Sequence, residues 1–145
     1  MNEIKVFLVE DEMVIRRGIK NSIDWEKEGY IFCGEASDGE LAYPMIIKEK
    51  PDILITDIRM PVMDGLAMIE KAQADGAQCS YVIISAYRDF EYARTAIRCG
   101  VREYILKPLN RFEVAACLER LLDMKAETMR TEDGEKEEAA EDGGS

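Results

Sequence analysis

ILITDIRMPVMDG, residues 53 to 65, decides how the rest of this chain reads. Ile53 to Thr56 is a short, largely apolar run that ends on the carboxylate of Asp57 and then breaks into a loop punctuated by Pro61 and Gly65. That is the pattern of a buried strand delivering one acid to its C-terminal end. Burying such an acid without a partner is costly. The residues at the other strand ends therefore decide what Asp57 is for.

Upstream, Ile4 to Val9 is a strand followed by Glu10, Asp11 and Glu12, and Val14, Ile15, Gly18, Ile19 and Ile23 follow at helical spacing. Trp25 is expected to pack over the end of that helix, and Tyr30 to Ala36 is a second strand of weaker pattern. Ser37-Asp38-Gly39 offers cap chemistry for a helix over Glu40 to Lys50, with Pro44 in its early turns. Downstream, Asp64-Gly65 opens a third helix that closes near Asp75-Gly76, and Tyr81 to Ile84 is a fourth strand ending in Ser85. A loop leads to a helix over Glu91 to Cys99, and Tyr104 to Leu106 is a fifth strand ending in Lys107-Pro108. The last helix is predicted from about Asn110, a good N-cap with Glu113 three residues on, to about Met129. Beyond it an acidic segment without apolar pattern is expected to be disordered.

Five apolar strands alternating with five helical segments require right-handed crossovers and a parallel sheet covered on both faces. The expectation is an α/β, doubly wound, three-layer sandwich with five parallel strands. Strands buried on both sides should be continuously apolar, as FLV, ILI, VII and YIL are. The polar residues then share one edge of the molecule: Glu10 and Asp11 after strand one, Asp57 after strand three, Ser85 after strand four and Lys107 after strand five. A flavodoxin-like order 2-1-3-4-5 sets strands one and three side by side at the switch point where such sheets bind ligands. Three carboxylates meeting there repel unless a cation intervenes. Few protein oxygens completed by water favour Mg²⁺. An acid nucleophile, a metal, an ammonium and a hydroxyl are the parts that place a phosphoryl group on a carboxylate, and Asp57 is the predicted acceptor.

Composition narrows the alternatives. At 145 residues the chain reads as one domain plus a tail, able to bury roughly two thirds of its unfolded surface. It has no His, which removes Ser-His and Cys-His nucleophile pairs, and Cys33, Cys79, Cys99 and Cys117 form no CxxC pair and are expected to be small buried hydrophobes. The net charge is −11, but Thr131 to Ser145 holds seven acids against one Lys, so the body is only mildly acidic. No basic stripe suits direct nucleic-acid binding. No apolar run of about 18 residues suits a membrane span, and no signal peptide is apparent, so the expected location is cytoplasmic.

VEDE at Val9 to Glu12, TDIRMPVMDG at Thr56 to Gly65, SA at Ser85-Ala86 and YILKP at Tyr104 to Pro108 together resemble the receiver domain of bacterial two-component response regulators. The likeness spans about residues 3 to 125, with residues 1–128 taken as the receiver and 129–145 as a tail or the start of a linker. It implies that Asp57 takes a phosphoryl group from a partner histidine kinase. Mg²⁺ would be held by Asp11, Asp57 and the backbone carbonyl of Arg59, with Glu10 acting through a metal-bound water. Glu10 stands where such receivers more often carry Asp. The same likeness implies that Ser85 turns toward the phosphoryl group, that Lys107 pairs with it, and that Tyr104 changes its packing on activation. It also implies a cis bond before Pro108, with Pro61 and Gly65 structural. Signalling would emerge on the face made by the fourth helix, the fifth strand and the fifth helix, a surface for partners or for homodimerisation. Weak self-phosphorylation from small donors and slow autodephosphorylation are expected, rather than classical enzyme activity.

NSIDWEKEGY and SAYRDFEYARTAIRCGVREYILKP further resemble receivers joined to AraC-type helix-turn-helix output domains. No such domain reads out of these residues, so the chain is expected to be either a fragment of a longer transcription regulator or a stand-alone receiver, with DNA reached only through the output domain. The competing reading is a phosphorylation-independent interaction or dimerisation module of the same fold. An aspartyl phosphatase usually wants a second acid where this chain has Arg59. A flavin carrier would need an anion-binding loop where it has Glu10-Asp11-Glu12. Arg94, Arg98 and Arg102 read equally as partner contacts or as a solvated helix face.

Overall fold

The computed structural model describes residues 3–60, 62–86, 90–107 and 112–123, with backbone alone at 90–93. Pro61, Pro108 with its expected cis bond, Asn110 and the acidic tail lie outside the described residues. The elements run β1 (Ile4–Val9), α1 (Met13–Ser22), β2 (Tyr30–Ala36), α2 (Gly39–Glu49), β3 (Ile53–Asp57), α3 (Gly65–Ala74), β4 (Ser80–Ser85), α4 (Phe90–Arg98) and β5 (Glu103–Leu106). A last helix, α5, occupies 112–123.

All strands are parallel in the order β2-β1-β3-β4-β5. Alternation along each strand divides the apolar side chains between two cores. Val6, Leu8, Ile53, Ile55, Val82 and Ile84 pack with Ile19 of α1 and with Val114 and Leu118 of α5. Phe7, Val9, Leu54 and Ile83 pack on the other face with Ala42 and Ile46 of α2, Met68 and Ile69 of α3, and Ala96 of α4. This is the doubly wound three-layer sandwich expected from the sequence.

Local chemistry sets the helix boundaries. Asp38 accepts from the Leu41 amide at 2.8 Å to open α2, and Asp64 accepts from the Ala67 amide at 2.8 Å to open α3. At the far end of α2 the chain turns left-handed at Lys50 before Pro51, and the helix runs through an exposed Pro44 to reach that point. Trp25 caps the α1 end, its Nε1 donating to the Lys20 carbonyl at 2.9 Å while its ring leans on Tyr30 and Phe32.

Two of the four cysteines depart from the expectation of full burial. Cys99 and Cys117 are buried, but Cys33 and Cys79 are only half-buried. Cys33 sits on the outermost strand, where the β1–β2 register slips between Val6 and Phe7, and Cys79 precedes the first residue of β4. Next to Cys33, the absent side chain of Gly34 makes room for Phe7, whose Cε2 would stand 2.7 Å from an added Cβ. No helix among the described residues is long and apolar enough to cross a membrane.

Candidate functional site

The sheet register assembles the strand-end residues. Val9 pairs with Thr56, Asp57 with Ile84, and Ser85 with Leu106, so Glu10, Asp57, Ser85 and Lys107 stand at one edge within two residues of the same level. The Lys107 amide donates to the Ser85 carbonyl at 2.8 Å, which fixes the end of β5 against that of β4.

From there the Lys107 ammonium reaches into the acids. Its Nζ lies 2.9 Å from Asp57 Oδ2, 3.0 Å from both carboxylate oxygens of Glu10 and 3.9 Å from Glu12 Oε1. Only about 8% of the Lys107 side chain is exposed, and the Glu10 side chain is fully enclosed. In such surroundings the ion pairs act through a lower dielectric than at a free surface. Burial opposes the charged form of Lys107, but hydrogen bonds to Asp57 and Glu10 and their charges outweigh it and raise the pKa of the ammonium. Burial first, and then the charge of Asp57, push the Glu10 carboxyl up to about 7 against the pull of Lys107 and the Glu12 amide. Lys107 thus neutralises part of a carboxylate excess.

The Asp57 carboxylate is aimed by its own backbone. Oδ1 accepts from the Ile58 amide at 2.7 Å while Oδ2 faces Lys107. Thr56 Oγ1 donates to the Asp57 carbonyl at 2.9 Å, and the Gly65 amide donates to the Ile58 carbonyl at 2.7 Å, so α3 begins directly against the end of β3. At that approach an added Cβ on Gly65 would collide with the Asp57 carbonyl oxygen. Only glycine fits there.

Glu10, Asp11 and Glu12 place carboxylate oxygens within 4.8 Å of one another, the one group with metal-ligand potential among the described residues. Asp57 stands outside it, its oxygens engaged by the Ile58 amide and Lys107. The buried Glu10 Oε2 has ion-pair proximity to Lys107 but no directed hydrogen bond. An exposed Asp11, a nearby Glu12 and an under-satisfied buried oxygen form a hard-oxygen donor set that fits a divalent cation such as Mg²⁺. Arg59 is exposed two residues beyond Asp57, and Tyr104 is half-buried on β5 against the α2–α4 core.

Two participants escaped the sequence reading. Glu12 was legible only as a third acid in the run, and its place 3.9 Å from Lys107 depends on how α1 starts. Arg16 donates from Nη1 to the Glu10 carbonyl at 2.7 Å, holding the acidic turn from one helical turn downstream. Its position four residues after Glu12 was the available sign.

A parallel sheet of this order, with paired acids, a central aspartate and a lysine at its carboxyl edge, is the CheY-like receiver class of α/β sandwich. Residues 6–119 match the response regulator receiver domain, and the chain belongs to that family. The uncharacterized transcriptional regulatory protein YesN of Bacillus subtilis is 38% identical over 118 residues, covering 81% of this chain and 32% of the relative. The transcriptional regulatory protein HptR of Staphylococcus aureus is 36% identical over 119 residues, covering 81% of this chain and 46% of HptR. The chain therefore spans from about a third to just under a half of the length of these curated relatives. Among solved structures, the REC domain of AraT, a response regulator from Geobacillus stearothermophilus, superposes with a TM-score of 0.75 at 36% identity, covering 86% of this chain and 99% of that one. Receiver domains are signalling domains of two-component systems, which bind Mg²⁺ at an acidic pocket and work with histidine kinases.

Proposed function

We propose that this receiver domain accepts a phosphoryl group on Asp57 from a histidine kinase. The observation that carries the reading is the Lys107 ammonium held between Asp57 and Glu10 beside the acid cluster. A carboxylate oxygen of Asp57 attacks phosphorus, the bond from phosphorus to the kinase imidazole breaks, and the imidazole nitrogen carries the electron pair away. Lys107 would offset the charge that accumulates on the phosphoryl oxygens, and Ser85, the last residue of the neighbouring strand β4, would meet them. Mg²⁺, held by Asp11, Asp57 and the Arg59 carbonyl with Glu10 acting through water, would supply further charge neutralisation. The change then passes through Ser85 and Tyr104 to the α4-β5-α5 surface as a shift between two packings. That surface is also the proposed homodimer contact.

Residues 1–128 are proposed as the receiver and 129–145 as a tail or the start of a linker, the receiver either standing alone or joined in a longer regulator to an AraC-type output domain, which alone would touch DNA. Support comes from the resemblance of the two flanking segments and from relatives that are transcriptional regulators of greater length. The test of the phosphoryl reading is incubation with Mg²⁺ and acetyl phosphate or beryllium fluoride. One equivalent should load onto the native chain and none onto Asp57→Asn. No uptake by the native chain, or equal uptake by the variant, would overturn the assignment.

A further inference from the structure

At the opposite end of the sheet from the acid cluster, a cavity of about 160 Å³ opens between the loop after α1 and the side of α5. Its wall includes Ser22, Asp24, Glu28, Tyr30, Leu118 and Glu119, and among the described residues no Lys or Arg lines it. Tyr30 is only 6% exposed, and among the described residues its hydroxyl has no hydrogen-bond partner. Burial first, and then the carboxylates of Glu119 and Glu28, push that hydroxyl up to about 12, so it remains protonated and can both accept and donate. Ser22 already donates to the Ile19 carbonyl at 2.9 Å, which leaves its oxygen as an acceptor. The cavity therefore combines acceptor oxygens and negative charge with an apolar floor.

The acids here do not converge as metal ligands do. Among the described residues only Glu10, Asp11 and Glu12 form a set of three or more whose ligand atoms all lie within 4.8 Å of one another. Space for about five waters, at roughly 30 Å³ each, is also more than a bare ion needs. Spread acceptors around an apolar floor suit a cation that is itself spread out and carried on an aliphatic stem. A guanidinium presents five donors in a planar fork, and its stem can lie on carbon. We propose that this cavity binds an alkylguanidinium group, with Tyr30 and Glu119 as its principal contacts. The site is separate from the phosphoryl chemistry at the other edge of the sheet and does not depend on it.

Two sources present this chemistry, a free guanidino amine and an arginine side chain of a polypeptide. The test titrates the full 145-residue chain with agmatine at constant ionic strength and follows emission from Trp25. That residue is the chain's sole tryptophan, and its ring centroid lies 6.1 Å from that of Tyr30. A saturable change is expected, weakened at least fivefold by Glu119→Gln, severalfold by Tyr30→Phe and not at all by Asp57→Asn. N-acetylarginine methylamide separates the sources: binding at least as tight as agmatine assigns the cation to a polypeptide, and a preference for agmatine assigns it to a free amine. A response no greater than that to sodium chloride, or Glu119→Gln binding agmatine like the native chain, would overturn the site. Glu119 is exposed on α5, so its variant keeps the test decisive even if Tyr30→Phe folds poorly.

Discussion

Arg16 of α1 donates from Nη1 to the backbone carbonyl of Glu10 at 2.7 Å, while its Nε lies 3.5 Å from the Glu35 carboxylate on β2. One largely buried guanidinium thus ties the first helix, the edge strand and the acidic turn together. A hydrogen bond from a charged donor contributes about 1.5–3 kcal/mol. Arg16→Ala should therefore lower stability to urea by about 2 kcal/mol and weaken Mg²⁺-dependent beryllium fluoride binding severalfold. Full binding in the variant would show that the turn holds its shape without Arg16.

The metal-free protein should show an inverted pH dependence at Glu10. Its folded pKa, raised to about 7 from 4.5, means that the folded state binds more protons than the unfolded state between those values. The cost of ionising Glu10 is absent below the unfolded pKa, grows as pH rises and is fully present above about 7. A shift of this size corresponds to roughly 3 kcal/mol. Glu10→Gln should accordingly gain on the native chain between pH 5 and pH 8 in a chelating buffer, measured by denaturant unfolding. A constant difference across that range would place the Glu10 pKa near its ordinary value.

Much of the site was legible because its residues sit where apolar runs stop. Asp57, Ser85 and Lys107 each follow a run too apolar to lie at a surface, and a parallel sheet of five such runs brings their ends to one edge. What stayed hidden depends on packing rather than pattern. Glu12 and Arg16 matter because α1 docks beside β2, and no periodicity in the sequence reports that docking. Half-burial of Cys33 follows from the edge position of β2 and its register slip, again a property of the assembled sheet.

Gly65 and Gly18 should respond oppositely to the same substitution. A Cβ at Gly65 collides with the Asp57 carbonyl, while one at Gly18, exposed within α1, meets nothing within 4 Å. Overpacking against backbone typically costs about 1–3 kcal/mol and occasionally more. Gly65→Ala should fall at or beyond the upper end, because neither β3 nor the start of α3 can yield. Gly18→Ala should instead stabilise by about 0.5–1 kcal/mol through helix propensity. Calorimetry of the pair checks both signs.

Val62 holds φ at +70° while 78% exposed. A β-branched residue is disfavoured in that left-handed region by about 1–2 kcal/mol. No burial offsets the strain. Val62→Gly relieves it and loses some unfolded-chain advantage, for a net gain near 1 kcal/mol and a Tm higher by several degrees. An unchanged or lower Tm would show that the Val62 side chain contributes contacts that its exposure does not suggest.

Lys107→Met removes the cation between two enclosed acids, whose side chains are at most 7% exposed. Breaking a buried pair by deleting one partner costs about 3–5 kcal/mol, because the remaining charge is left uncompensated. Here the loss should depend on pH. Near pH 5 Glu10 is already largely protonated and Asp57 faces a neutral neighbour, so the variant should lose the least. At pH 8 the native chain holds Glu10 ionised against the ammonium, whereas the variant must either keep Glu10 protonated or set two carboxylates against each other, so the loss should be greatest. A divalent cation bound to the folded state would add RT ln(1 + [L]/Kd) of stability. Mg²⁺ should therefore recover more of the loss at pH 8 than at pH 5. Equal losses at both pH values, with no recovery by Mg²⁺, would mean that Lys107 acts through packing of its aliphatic stem rather than through its charge.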